Sequence, residues 1–84
     1  MKYCLITFRS VTPAQRGEGV LRKAGIHCTL RRTPRWMEEK GCGYSLQVRH
    51  QDAAKAVELL RSGDVPFRKI YLHRDEGPTE ELML

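Results

Sequence analysis

The spacing of apolar residues changes several times along this chain of 84 residues, and each change predicts an element. Residues 2–8, KYCLITF, are rich in β-branched and aromatic types and too short for a helix. Both alternating sets, Tyr3-Leu5-Thr7 and Cys4-Ile6-Phe8, are fairly apolar, which predicts a central strand. The spacing then becomes helical in TPAQRGEGVLRKAG. Thr12 is placed to cap, Pro13 suits the first helical position, and Gln15 completes a T-x-x-Q capping box. Ala14, Gly17, Leu21 and Ala24 share one helix face, and the small residues at Ala14 and Gly17 let the backbone lie close to a sheet. Gly17 and Gly19 each lower helix propensity by up to about 1 kcal/mol, so packing has to hold the helix. Gly25 ends it where a left-handed residue is wanted.

IHCTLRR, residues 26–32, reads as a second strand. TPRWMEEKG, residues 33–41, reads as a loop in which Trp36 either folds over the core edge or meets a partner. GYSLQVR, residues 43–49, alternates cleanly, with Tyr44, Leu46 and Val48 on the buried side of a third strand. QDAAKAVELLRSG is a second helix with Ala53, Ala56, Val57 and Leu60 as its apolar stripe and Gly63 as its stop. VPFRKIYL, residues 65–72, is a fourth strand, with Pro66 at its start, where a missing N–H does little harm. The order β-α-β-β-α-β predicts an α+β, ferredoxin-like fold: a four-stranded antiparallel sheet with both helices on one face. Residues 1–73 form a single domain in this reading, and residues 74–84 an acidic tail that is mobile or docks on a neighbour.

Charge sharpens the picture. The formal net charge is +5, yet four of the ten acidic residues (Asp75, Glu76, Glu80, Glu81) follow Arg74, where no Lys or Arg occurs. Residues 1–74 therefore carry 15 basic against 6 acidic side chains, a field that attracts nucleic acid, an acidic protein or a small anion. The first apolar run, Tyr3–Phe8, is closed by Arg9 and is too short for a secretory h-region or a membrane helix. The expectation is a cytoplasmic protein without a membrane segment. Three cysteines with no CxxC pair argue against a disulfide framework.

Cys42 is the thiol of interest, because Gly41 and Gly43 strip its neighbourhood of side chains. Only the thiolate attacks, and cations lower its pKa; Arg35 and Lys40 share its loop, and Arg31 and Arg32 close the preceding strand. The bland alternative makes Cys42 a small residue leading into a strand, its glycines serving a turn or bulge. Cys4 and Cys28 lie inside strand patterns and read as core fillers. Cys28, Cys42, His27, His50 and His73 have no zinc-ligand spacing, so no metal or other cofactor is expected. No GxSxG, P-loop or HExxH occurs, so a carrier or binding protein is expected rather than a turnover enzyme. RNA recognition modules use exposed aromatics on this kind of sheet, but Tyr44 falls on the helix-facing side, so nucleic acid is a weak third reading. A non-catalytic adaptor is the second: if Cys4, Ile6 and Phe8 lie on the open sheet face, they form an apolar patch suited to a homodimer.

YCLITFRS at the start, LRKAGI after the first helix, TPR at 33–35 and Cys42–Gly43 leading into YSLQV together resemble the selenium/sulfur (Se/S) carrier protein-like family of small bacterial domains. The resemblance covers about residues 2–72. It implies a cysteine that carries sulfur or selenium as a persulfide or selenenyl-sulfide. Cys42 occupies the family's CG position, and Thr33, Pro34 and Arg35 match the loop ahead of it. The implied partners are a desulfurase-type donor and an acceptor protein, with Cys42 exchanging the chalcogen and Arg35, Lys40 and Arg32 in support.

Overall fold

The structure, a computed structural model, describes residues 2–32, 43–74 and 80–82. Five strands and two helices follow in the order β1 (Lys2–Phe8), α1 (Val11–Lys23), β2 (Cys28–Arg32), β3 (Tyr44–Arg49), α2 (Ala53–Ser62), β4 (Ile70–Arg74) and β5 (Glu80–Leu82). The sheet order is β2-β3-β1-β4-β5, and every neighbouring pair is antiparallel. β1 and β2 thus run parallel with β3 between them, and β3 and β4 run parallel with β1 between them. These are the two interleaved βαβ units expected from the sequence. A fifth strand, Glu80–Leu82, pairs with β4 and was not anticipated.

β1 is central because its two sides do different work. Cys4, Ile6 and Phe8 are fully buried and join Leu46, Val48, Cys28, Ile70 and Leu72 from the other strands in one core. Ala14 and Leu21 of α1 and Ala53, Ala56, Val57 and Leu60 of α2 close that core from the same face. The α2 stripe is the one its sequence spacing predicts. The opposite side of the sheet carries Tyr3, Leu5 and Thr7 of β1, with Ser45 and Gln47 of β3 opposite them.

The helix ends show how local chemistry fixes this frame. α1 begins one residue before the predicted cap, after Ser10 in extended backbone, and no side chain caps it; the Thr12–Gln15 capping box is not the start. Pro13 falls in the first turn, where its missing N–H leaves no intrahelical bond unmade. At the other end Gly25 adopts φ 81, its N–H donates to the Arg22 carbonyl (3.0 Å), and the Ile26 N–H donates to the Leu21 carbonyl (2.9 Å). This is the Schellman pair of bonds, with Ile26 folded into the core as its apolar contact. α2 repeats the device with Asp64 (φ 53) in the left-handed position, one residue after the expected Gly63. The Asp64 N–H reaches Arg61 (3.2 Å) and the Val65 N–H reaches Leu60 (2.9 Å), with Val65 buried.

α1 approaches the sheet closely at Gly17. A Cβ there would meet Leu60 Cδ2 and Phe8 Cζ at 3.1 Å and Leu46 Cδ1 at 3.2 Å. A Cβ at Gly19 would meet nothing within 4 Å. The two glycines of one helix should therefore respond oppositely to substitution. Denaturant unfolding is expected to show Gly17→Val destabilised by about 2 kcal/mol through overpacking. Gly19→Ala should be stabilised by about 0.5–1 kcal/mol from helix propensity alone.

Candidate functional site

The register defines two ends of the sheet. One holds the finish of β1 and β2 and the start of β3 and β4, where Phe8 lies opposite Tyr44 and Arg32 also lies opposite Tyr44. Gly43 is buried immediately before β3, and Arg32 is exposed at the end of β2. The structure thus brings Gly43 and Arg32, two of the residues singled out above, to the same end. Arg35, Lys40, Gly41 and Cys42 lie outside the described residues.

β4 meets β1 irregularly at this end. The Arg68 N–H donates to the Thr7 carbonyl (2.7 Å), and the Thr7 N–H donates to the Lys69 carbonyl (2.8 Å). Thr7 Oγ1 accepts from the Lys69 N–H at 3.0 Å and donates to the Lys69 carbonyl at 3.2 Å. Two residues therefore face one, as in a β-bulge, with the buried Thr7 hydroxyl taking the amide that the ladder leaves over. Arg68 and Lys69 are both exposed here. Arg9, just past β1, and Arg31 and Arg32, at the end of β2, are exposed too, as is Arg61, whose guanidinium carbon lies 5.8 Å from the centre of the Phe67 ring. Asp64 lies at this end too, and the register places Glu81 of β5 opposite Tyr71 near the start of β4. The N-terminus of α1, whose first turn has no acidic residue, adds a partial positive charge. Sequence pointed to Arg31 and Arg32; Arg9, Arg61, Arg68 and Lys69 join them only through strand register and the path of α2.

Cys4 and Cys28 are both buried free thiols. Burial raises the pKa of each; at Cys28 the Arg22 guanidinium pulls the other way without overcoming it. The Cys28 thiol lies 3.9 Å from the Glu18 carbonyl, and Arg22 reaches the Cys28 carbonyl at 3.4 Å and the Glu18 carboxylate at 3.5 Å. Neither thiol has the exposed, cation-rich setting that makes a nucleophile. Their reading as core fillers holds.

The open face differs from one expectation. Cys4, Ile6 and Phe8 point into the helix-covered core, so no patch of these three is available to a second copy. The reason is parity: Phe8 packs beneath Gly17, and the residues two and four before it follow it inward. The other face is mixed, with Thr29 and Arg31 of β2, Gln47 of β3 and half-buried Tyr3 and Tyr71. Ser45 Oγ and Gln47 Oε1 are buried there without a hydrogen-bond partner among the described residues. Tyr44 packs against the core, as its alternation predicts.

Two outcomes check this geometry. Thr7→Val should cost about 1–3 kcal/mol by removing the partner of the Lys69 amide, while Thr7→Ser should retain most of the stability. Alkylation of native protein should spare Cys4 and Cys28 and modify both after denaturation, read by peptide mass. The raised thiol pKa values also fix a sign. The unfolded chain loses these protons first, so stability is level below the ordinary thiol pKa of about 8.5 and falls as pH rises through it. Unfolding measured from pH 7 to 9.5 should show that fall, reduced in Cys4→Ala/Cys28→Ala.

Among the described residues no group of three His, Cys, Asp or Glu is placed to hold a metal ion, and no helix is long and apolar enough to cross a membrane. Comparison with curated proteins and with solved structures gave no match. Residues 3–72 match the family model described as "Putative Se/S carrier protein-like". That match spans the whole βαββ frame, α2 and the first part of β4. The chain belongs to the Se/S carrier protein-like family.

Proposed function

We propose that this protein carries sulfur or selenium on Cys42 and delivers it to an acceptor protein. Family membership over residues 3–72 is the observation that carries this reading. The cysteine contrast supports it: Cys4 and Cys28 are buried with raised pKa values, which turns attention to the third thiol of the chain. Gly43, which follows Cys42 in the sequence, leads into β3 at one end of the sheet. That is the end with exposed Arg9, Arg31 and Arg32. Arg35 and Lys40, neighbours in sequence, are further candidates to stabilise an anion.

The chemistry is thiol exchange. The Cys42 thiolate attacks the terminal sulfur of a donor persulfide, such as that of a desulfurase-type enzyme. A new Sγ–S bond forms, the donor's S–S bond breaks, and the donor sulfur leaves as a thiolate. No external oxidant is consumed, because the sulfane sulfur arrives at the oxidation level it keeps. Selenium follows the same balance from a donor that holds it bonded to sulfur. Delivery is the reverse attack by a nucleophile of the acceptor. Cys42 then acts as a carrier returned to thiolate, not as a turnover catalyst.

Incubation with an active desulfurase and its amino-acid substrate, followed by intact and peptide mass measurement, tests this directly. The expected result is one added chalcogen atom on the Cys42 peptide and none on Cys42→Ser. An unmodified Cys42 beside a demonstrably active donor contradicts the proposal.

A further inference from the structure

The end of the sheet at Gly43 is also the most densely cationic part of the described surface. Arg9, Arg31, Arg32, Arg61, Arg68 and Lys69 are all exposed there, against Asp64 and, on β5 beside β4, Glu81. Two arginines toward the opposite end are held in ion pairs. Arg22 is paired with Glu18 at 3.5 Å and Arg49 with Asp52 at 3.1 Å. Arg9, Arg31 and Arg32 have no such ion pair among the described residues.

The spread of these charges selects the size of what they meet. Arg31 and Arg32 sit on β2, and Arg68 and Lys69 precede β4, three strands away in the order β2-β3-β1-β4. At about 4.8 Å per strand the cations span about 14 Å. A small anion touches only a part of such a row, whereas a macromolecular surface covers it. The aromatic residues at this end argue about which macromolecule. Of the aromatic residues described at this end, Phe8 is fully buried, Tyr44 packs on the core, and half-buried Phe67 packs on the core with the Arg61 guanidinium over its ring, so none offers an open face on which bases can stack. The geometry points to a protein partner whose contact surface is acidic, docking on this end with Arg9, Arg31 and Arg32 as its main contacts. Resting on the carrier reading, this docking surface is where a donor or acceptor aligns with Cys42. Complementary charge speeds and orients the encounter without burying much apolar area, which suits a carrier that must also let go.

A fluorescent deca-glutamate peptide serves as the probe, with decauridylate as the competing polyanion. At low ionic strength deca-glutamate should bind and weaken as salt rises. Arg9→Gln/Arg32→Gln should weaken it by about fivefold or more. Lys23→Gln/Lys55→Gln, which removes two exposed cations elsewhere, should change it by less than about twofold. Thermal melting of both variants verifies that they fold. The inference is overturned if the peptide does not bind, if both double variants weaken it equally, or if decauridylate binds more tightly. Loading of wild-type Cys42 with inorganic polysulfide, weighed in parallel, separates the two readings. A loaded protein that ignores the peptide removes the docking surface and leaves the carrier; a binding protein that never loads removes the carrier.

Discussion

The burial of Cys4, Ile6 and Phe8 along one side of β1 sets the rest of the molecule in place. β1 pairs with β3 on one edge and β4 on the other, so its parity fixes which face both neighbours turn toward the helices. Phe8 and Leu46 then leave α1 room for a glycine and nothing larger at Gly17. A small chain buries a modest fraction of its surface, and almost every apolar group it has must go to one side of one sheet. Two of its three thiols are used up in this way. Among the described residues, exposed cations gather at strand ends, where side chains escape the core.

The same parity organises the charge. Strands that alternate direction bring the end of β1, the end of β2 and the starts of β3 and β4 together. Basic residues far apart in the chain, Arg9, Arg31, Arg32, Arg68 and Lys69, become neighbours at that end. The Thr7 hydroxyl makes the last part of this possible by satisfying the amide of Lys69 where two residues oppose one. A fold of this size cannot enclose a deep site, but it can hold a charged rim around the root of a short segment. Charged rims act over about 10 Å at moderate salt, enough to orient an approaching partner before contact.

Much of the fold was legible because the periodic signals were local and consistent. The alternation of Tyr44, Leu46 and Val48 and the stripe Ala53, Ala56, Val57 and Leu60 each report a single buried face. Boundaries were less legible. Thr12 and Gln15 mimic a capping box, yet α1 starts after Ser10 without a side-chain cap, since packing at Ala14 and Gly17 outweighs a cap's contribution. Residues 65–69 look like strand but lead into β4 at Ile70, because Arg68 and Lys69 share one partner in Thr7. β5 was missed because TEELML is short, acidic and without clear alternation, although Gly77-Pro78 ahead of it is a turn signal. Of the candidate site, Arg32 and Gly43 were readable as strand ends; the gathering of Arg9 with Arg68 was not, since it depends on pairing across more than sixty residues.

The carrier role proposed for Cys42 requires a thiol more reactive than the buried Cys4 and Cys28. The most direct test is the second-order rate of alkylation at Cys42 at neutral pH, compared with the same thiol in the denatured chain. The account predicts a faster reaction in the native protein at low ionic strength, slowed toward the denatured rate as salt screens the basic rim. A native rate no greater than the denatured one, or one indifferent to salt, would contradict it.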